Sequence, residues 1–187
     1  MKIRLLLIAF ALAPAWAMGQ QVQRPTIASE VGGRLGTAER EVLQIADAMP
    51  EEKYGFAPTQ GEFKGVRTFA QQLKHIGAYG YILCSGIKQE KPPADVNGDA
   101  GPENVTRKAD IMKYVRESFA YCRQAFNTID EKNALERIQG VGGPTTRLAL
   151  ATFAAAHPFD HYGQLVVYLR MNGKIPPASL PRQPATR

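Results

Sequence analysis

No run of basic residues longer than two occurs in this 187-residue chain, so its formal charge of +6 is weak support for a nucleic-acid partner. Two of the positive charges, Lys2 and Arg4, also fall in a segment read below as removed. Glycine (17) and proline (13) are too few for a collagen-like or low-complexity chain. At 44% hydrophobic and 21% charged, the composition excludes general disorder, and the length allows one domain or two very small ones. No strand-like alternation and no internal repeat are visible, and no apolar stretch beyond the N-terminus reaches transmembrane length. With only 3 histidines and 2 cysteines, the positions of those few residues carry most of the chemical information.

The N-terminus reads as an export signal. Lys2 and Arg4 precede the apolar run Leu5 to Ala13, Pro14 breaks it, and Ala15-Trp16-Ala17 supplies small residues for cleavage after Ala17 or Gly19. The run is about half the roughly 20 residues that span a bilayer, so an uncleaved anchor is the weaker reading. No cysteine follows it, which excludes a lipid-modified one there. The expected organisation is a signal peptide at 1–19, a flexible leader at 20–29, one domain at 30–177 and a disordered tail at 178–187. The expected compartment is the periplasm or the exterior, with no stable membrane insertion after cleavage. Disulfides persist there.

The mature chain reads as four helices. The first runs from about Val31 to Ala48, with Leu35, Ala38, Val42, Ile45 and Ala46 at helical spacing, and stops at Met49-Pro50. The second runs from about Val66 to Gly86 on a stripe of Phe69, Leu73, Ile76, Gly80 and Leu83. The third begins near Thr106, a candidate N-cap, and runs to about Ile129 with Ile111, Tyr114, Val115, Phe119, Cys122 and Phe126 on one face. Residues 131–143 read as a turn region. The fourth helix runs from about Thr145 to Met171 and ends at Asn172-Gly173. Such stripes predict an all-α four-helix bundle.

Between the second and third helices lies a loop from Ile87 to Asn104 that reads as structureless. It contains Pro92-Pro93, Asn97-Gly98 and Gly101-Pro102. Stretched, it reaches roughly 60 Å, against roughly 30 Å for a 20-residue helix. It is long enough to carry the chain back along the bundle and make the two helices parallel. Cys84 and Cys122 then sit at nearly the same height and pair as a disulfide. In an antiparallel pair they would be more than about 10 Å apart along the axis. The alternative is two free buried cysteines packing as small hydrophobes.

His157 and His161 stand four residues apart on the fourth helix, one turn apart on one face. Leu150, Phe153, His157, His161, Gln164 and Tyr168 form a single side of the wheel, so both imidazoles are expected to point inward with the apolar residues. His75, the third histidine, flanks the stripe of the second helix. Three imidazoles from two helices would suit a borderline divalent ion and leave a position open for water or substrate. The alternative is hydrogen-bonded core histidines, with His75 incidental. The zinc-protease signature fails, because Pro158 stands where its glutamate belongs. Pro158 also predicts a kink or a break near Ala154. No residue is assigned as catalytic. Asp160 reads as a residue that supports a ligand from behind or as a solvated one, Gln164 as better placed to bind water or substrate, and Tyr79 as core packing or pocket lining.

The stretch His157-Pro-Phe-Asp-His161-Tyr-Gly-Gln164, followed by Leu-Val-Val-Tyr-Leu-Arg170-Met-Asn-Gly173 and Pro176-Pro177, resembles the C-terminal signature of the DinB-like superfamily. Phe69-Ala-Gln-Gln-Leu-Lys-His75-Ile resembles its second-helix motif, and Ala48 through Thr59 its loop after the first helix. The resemblance covers about residues 30–177. It implies an up-down-down-up bundle with parallel second and third helices. It further implies a divalent ion, often nickel or zinc, held by His75, His157 and His161. Characterised members of the family are thiol-dependent transferases or metal-dependent hydrolases, so a small-molecule substrate is expected. DNA binding is not implied, and a homodimer stays open. A non-catalytic metal-binding or structural bundle is the alternative function.

Overall fold

The computed structural model describes residues 24–181. The expected signal peptide at 1–19 and the last six residues of the expected tail lie outside them.

Helix α1, Ile27–Ala48, opens on a capping box in which Thr26 and Ser29 satisfy each other's backbone N–H groups. It starts four residues before the expected Val31, inside the segment read as a flexible leader; the box is the signal the apolar period did not carry. Helix α2, Phe69–Lys88, opens on a second box, Thr68 with Gln71. Helix α3 is Lys108–Phe126, and α4 is Arg147–Met171 with Thr146 as its N-cap. The expected cap at Thr106 is not used: the N-cap is Arg107 and makes no side-chain cap bond. Its guanidinium instead pairs with Asp110.

Contacts between the helices set the topology. Gly77 faces Tyr114, Gly80 faces Ser118, and Cys84 is disulfide-bonded to Cys122, so positions on α2 and α3 rise together and the two helices are parallel. Gln72 meets Gln164, Tyr79 meets Phe153, and Gly86 meets Leu150, so α2 and α4 are antiparallel. Glu39 pairs with Arg123 while Lys108 Nζ donates to the Met49 carbonyl, so α1 and α3 are antiparallel too. The bundle is up-down-down-up. Each stripe read from the sequence on α1 and α3 is buried in full, around a core that includes Leu35, Leu73, Phe119, Phe126 and Leu165.

The α2–α3 seam is close because two glycines face it. A Cβ at Gly77 would sit 2.7 Å from the Tyr114 ring. That ring has little room to yield, since Tyr114 is 6% exposed and its hydroxyl donates to the Asp95 carbonyl at 2.9 Å. Gly77→Ala is therefore expected to cost about 1–3 kcal/mol through overpacking. A thermal melt superimposable on that of the wild type would refute this.

The crossover from α2 to α3 is not the structureless loop expected. It has no helix or strand but is pinned along its course. Gln89 ends α2 in the left-handed region (φ 55°), Lys74 Nζ donates to the Pro102 carbonyl at 2.8 Å, and Gly101 (φ 74°) lies directly on the Lys74 backbone. The segment returns along α2 and brings Asp99 to the level of His75.

A second departure lies before α4. Strands β1, Arg137–Gly140, and β2, Gly143–Thr146, form an antiparallel hairpin closed by Val141-Gly142. Four-residue strands with one buried side chain, Ile138, are too short to show alternation. Pro144 is tolerated because both strands are edges.

Helix α4 runs unbroken through Pro158, so the break offered as the alternative to a kink does not occur. Its inner face also differs from the wheel. Of the expected side, Leu150, His161 and Tyr168 are buried and His157 and Gln164 half-buried, but Phe153 is 46% exposed, and Ala151, Ala154, Pro158, Leu165 and Leu169 are buried as well. Near the end of the described residues, Pro177–Ser179 form a short 3-10 turn, with Arg170 donating to Ser179. The described chain is thus structured past residue 178.

Candidate metal centre

The antiparallel crossing of α2 and α4 brings His75 against the turn that carries His157 and His161. Ring centroids lie 4.7 Å apart for His75 and His161, 5.1 Å for His75 and His157, and 4.5 Å for His157 and His161. One nitrogen from each ring lies within 4.8 Å of the others. His157 Nε2 and His161 Nε2 are 3.0 Å apart. His75 is 5% and His161 7% exposed, and His157 is half-buried.

Each of the two most buried rings is held by its other nitrogen. His75 Nδ1 donates to the Asp99 carbonyl at 2.8 Å, which leaves Nε2 free. His161 Nδ1 contacts Gln72 Oε1 at 2.6 Å. Gln72 Nε2 donates to Gln164 Oε1 at 2.7 Å, and Gln164 Nε2 to Asp160 Oδ2 at 3.4 Å. Tyr79 lies over His157, with ring centroids 4.6 Å apart, and Phe153 meets the same ring edge-on.

Burial holds all three imidazoles uncharged at neutral pH. It pushes His157 down to about 3, helped by the neighbouring His161 and His75, and His161 down to about 4, helped by His75. His75 is lowered as well, again chiefly by burial. The Asp99 carboxylate, 3.4 Å from His75 Nδ1, therefore faces a neutral ring and is not an ion-pair partner of it. Its charge is met by Arg67 at 3.3 Å.

Neutral imidazoles are competent ligands. Two nitrogens sharing one ion at about 2.1 Å each stand roughly 2.9–3.4 Å apart for angles of about 90–110°. The 3.0 Å between His157 and His161 lies in that range. Among the described residues this is the one group of three or more histidine, cysteine or acidic side chains so close together. The donor set fits a divalent ion of borderline character.

A family model, the DinB superfamily, matches residues 34–165. The chain belongs to the DinB superfamily. Two similar solved structures are DinB-like proteins from Bacillus cereus and Bacillus subtilis. The first is 18% identical with a TM-score of 0.62, covering 78% of this chain and 94% of its own. The second is 17% identical with a TM-score of 0.61, covering 82% and 96%. A conserved protein from Enterococcus faecalis, 15% identical, has a TM-score of 0.64 over 79% and 98%. These likenesses concern the fold. No curated protein matches the sequence.

In this DinB-superfamily chain the three sequence-predicted histidines come together. Gln164 and Asp160 do not face the cluster as free groups; they bond to each other and reach it only through Gln72. Tyr79 does both things expected of it: it packs against the edge of the core and lies over the His157 ring. Two supporting residues escaped the sequence reading. Gln72 had a signal, a polar residue one turn before His75 beside the Phe69-Leu73-Ile76 stripe. Asp99 had none, because it arrives from a loop 24 residues further on.

Proposed function

We propose that this chain is an exported metal-binding protein that holds a divalent ion, zinc or nickel, on His75, His157 and His161 and uses it in hydrolysis or group transfer on a small molecule. The observation that carries the reading is the convergence of three uncharged imidazole nitrogens within 4.8 Å. A bound ion of this kind supplies Lewis acidity, which yields a nucleophile near neutral pH or polarises a substrate group. The chain's own residues supply the rest. The Asp99 carbonyl and Gln72 orient two of the rings, and Tyr79 and Phe153 give the cluster an apolar, aromatic border. Export is supported by the N-terminal charge and apolar pattern and by the disulfide. An oxidising compartment favours hydrolysis over thiol chemistry. Nucleic acid is not proposed as a partner.

A second reading, metal binding without catalysis, is favoured by one feature. Among the described residues the carboxylates nearest the cluster, Asp99 and Asp160, are already paired with Arg67 and Gln164 and do not adjoin it as free groups.

Metal analysis separates the readings. Purified mature protein reconstituted with zinc or nickel is expected to hold one ion per chain, and His161→Ala to hold almost none. Unchanged metal content in the variant would refute the assignment. Stoichiometric metal with no turnover of ester, amide or thiol substrates would select the non-catalytic reading.

A further inference from the structure

A hydrogen-bond chain joins the buried ring of His161 to the protein surface. It runs from His161 Nδ1 through both ends of the Gln72 amide and both ends of the Gln164 amide to the Asp160 carboxylate, at 2.6, 2.7 and 3.4 Å. Gln72 is 3% exposed, while Asp160 faces solvent.

Its direction is set from the outer end. A carboxylate offers only acceptors. Gln164 therefore turns its NH2 toward Asp160 and its carbonyl toward Gln72. Gln72 donates to that carbonyl, which points its own carbonyl at His161. The one group on the ring that satisfies a carbonyl there is an N–H on Nδ1. Nε2 is then left with a lone pair, which in the metal-free protein accepts from the Nε2–H of His157, 3.0 Å away. In water, the free histidine side chain prefers the opposite tautomer, with its hydrogen on Nε2. The partner of one ring nitrogen decides the state of the other.

We infer that Gln72, Gln164 and Asp160 form a directional relay that locks His161 in the Nδ1–H tautomer and so keeps the Nε2 lone pair directed toward the cluster. All three are positioning residues. The consequence for an ion rests on the metal-site reading above; the tautomer does not. With the lone pair already directed inward, no ring flip or proton shift at His161 precedes binding; the proton that must move is the one His157 Nε2 shares with it. Partners of this kind typically change metal affinity by about 10–100-fold when removed. His75 differs, because its equivalent partner is a main-chain carbonyl that no side-chain substitution deletes.

Two-bond proton–nitrogen spectra of the imidazoles in the metal-free protein read the tautomer directly. Wild type is expected to show His161 with hydrogen on Nδ1. Gln72→Leu removes the acceptor and is expected to populate the Nε2–H form and to weaken zinc or nickel binding about 10–100-fold in a chelator competition. Gln72→Glu keeps an acceptor and is expected to keep the Nδ1–H form. Asp160→Lys, at an exposed site that does not threaten folding, places a donor at the outer end. It reverses each amide in turn and is expected to move the hydrogen to Nε2. A charge effect alone would weaken metal binding without moving the tautomer. An Nδ1–H tautomer retained in either Gln72→Leu or Asp160→Lys overturns the inference. Wild type that binds neither metal overturns the proposed function instead, while the same spectra still decide the relay.

Discussion

Replacing both Cys84 and Cys122 with alanine is expected to lower the stability of the oxidised protein by about 4 kcal/mol. The two cysteines are separated by 38 positions and join α2 to α3. Closing a loop of that length in the unfolded chain removes entropy worth about 4 kcal/mol in the chain-entropy description. For a domain of this size the melting temperature should fall by about 8–16 °C. The cross-link matters because the α2–α3 connection is long. Without it, the close seam at Gly77 and Gly80 must hold two parallel helices whose joining segment spans the bundle. Both cysteines are almost fully buried, at 0% and 1%, so brief reductant on the folded protein is a poorer test than substitution. Metal uptake well below the melting temperature should survive in the double variant, since the three histidines lie on α2 and α4. Thermal or urea unfolding of the two proteins measures the difference. A loss below about 1 kcal/mol would mean that packing, not the cross-link, fixes the seam.

The sequence was most legible where periodicity and burial agree. Leu35, Ala38, Val42, Ile45 and Ala46 repeat at helical spacing in α1, and those five are its buried residues. The two cysteines were legible because loop reach and helix rise are simple lengths. The histidines were legible because four-residue spacing puts two rings on one face. Helix α4 was harder. It is apolar around most of its circumference, so a wheel does not locate its inner side. Small residues, Ala151 and Ala154, are buried there, while the larger Phe153 stands toward solvent beside His157. The crossover was illegible for another reason. Its order comes from single contacts to distant residues, Pro102 with Lys74 and Asp99 with His75, and no local pattern encodes them. Gln164 stood on the expected side of α4, but its role depended on Gln72, a residue 92 positions away.

Acid should act on the free and the metal-loaded protein in different pH ranges. In the unfolded chain the histidines titrate near their usual value of about 6.5. In the folded chain burial holds His157 down to about 3 and His161 down to about 4, with His75 lowered too. Between those limits the unfolded state binds more protons, so stability rises with pH. For the metal-free protein this contribution is fully present above about 6.5, drains away as pH falls, and stops changing below the folded values near 3. The metal-loaded protein faces a different competition. Protons displace an ion only when they can occupy the folded-state nitrogens, which happens near the depressed values. Retention of zinc or nickel is therefore expected at pH 5, with release as pH falls below about 4. Metal-free melts should already be declining at pH 5.5. The two curves come from thermal melts and from metal content after dialysis at stepped pH. Half-release at or above pH 6.5 would mean that the three imidazoles are solvated as ordinary histidines, and the buried cluster would lose its physical basis.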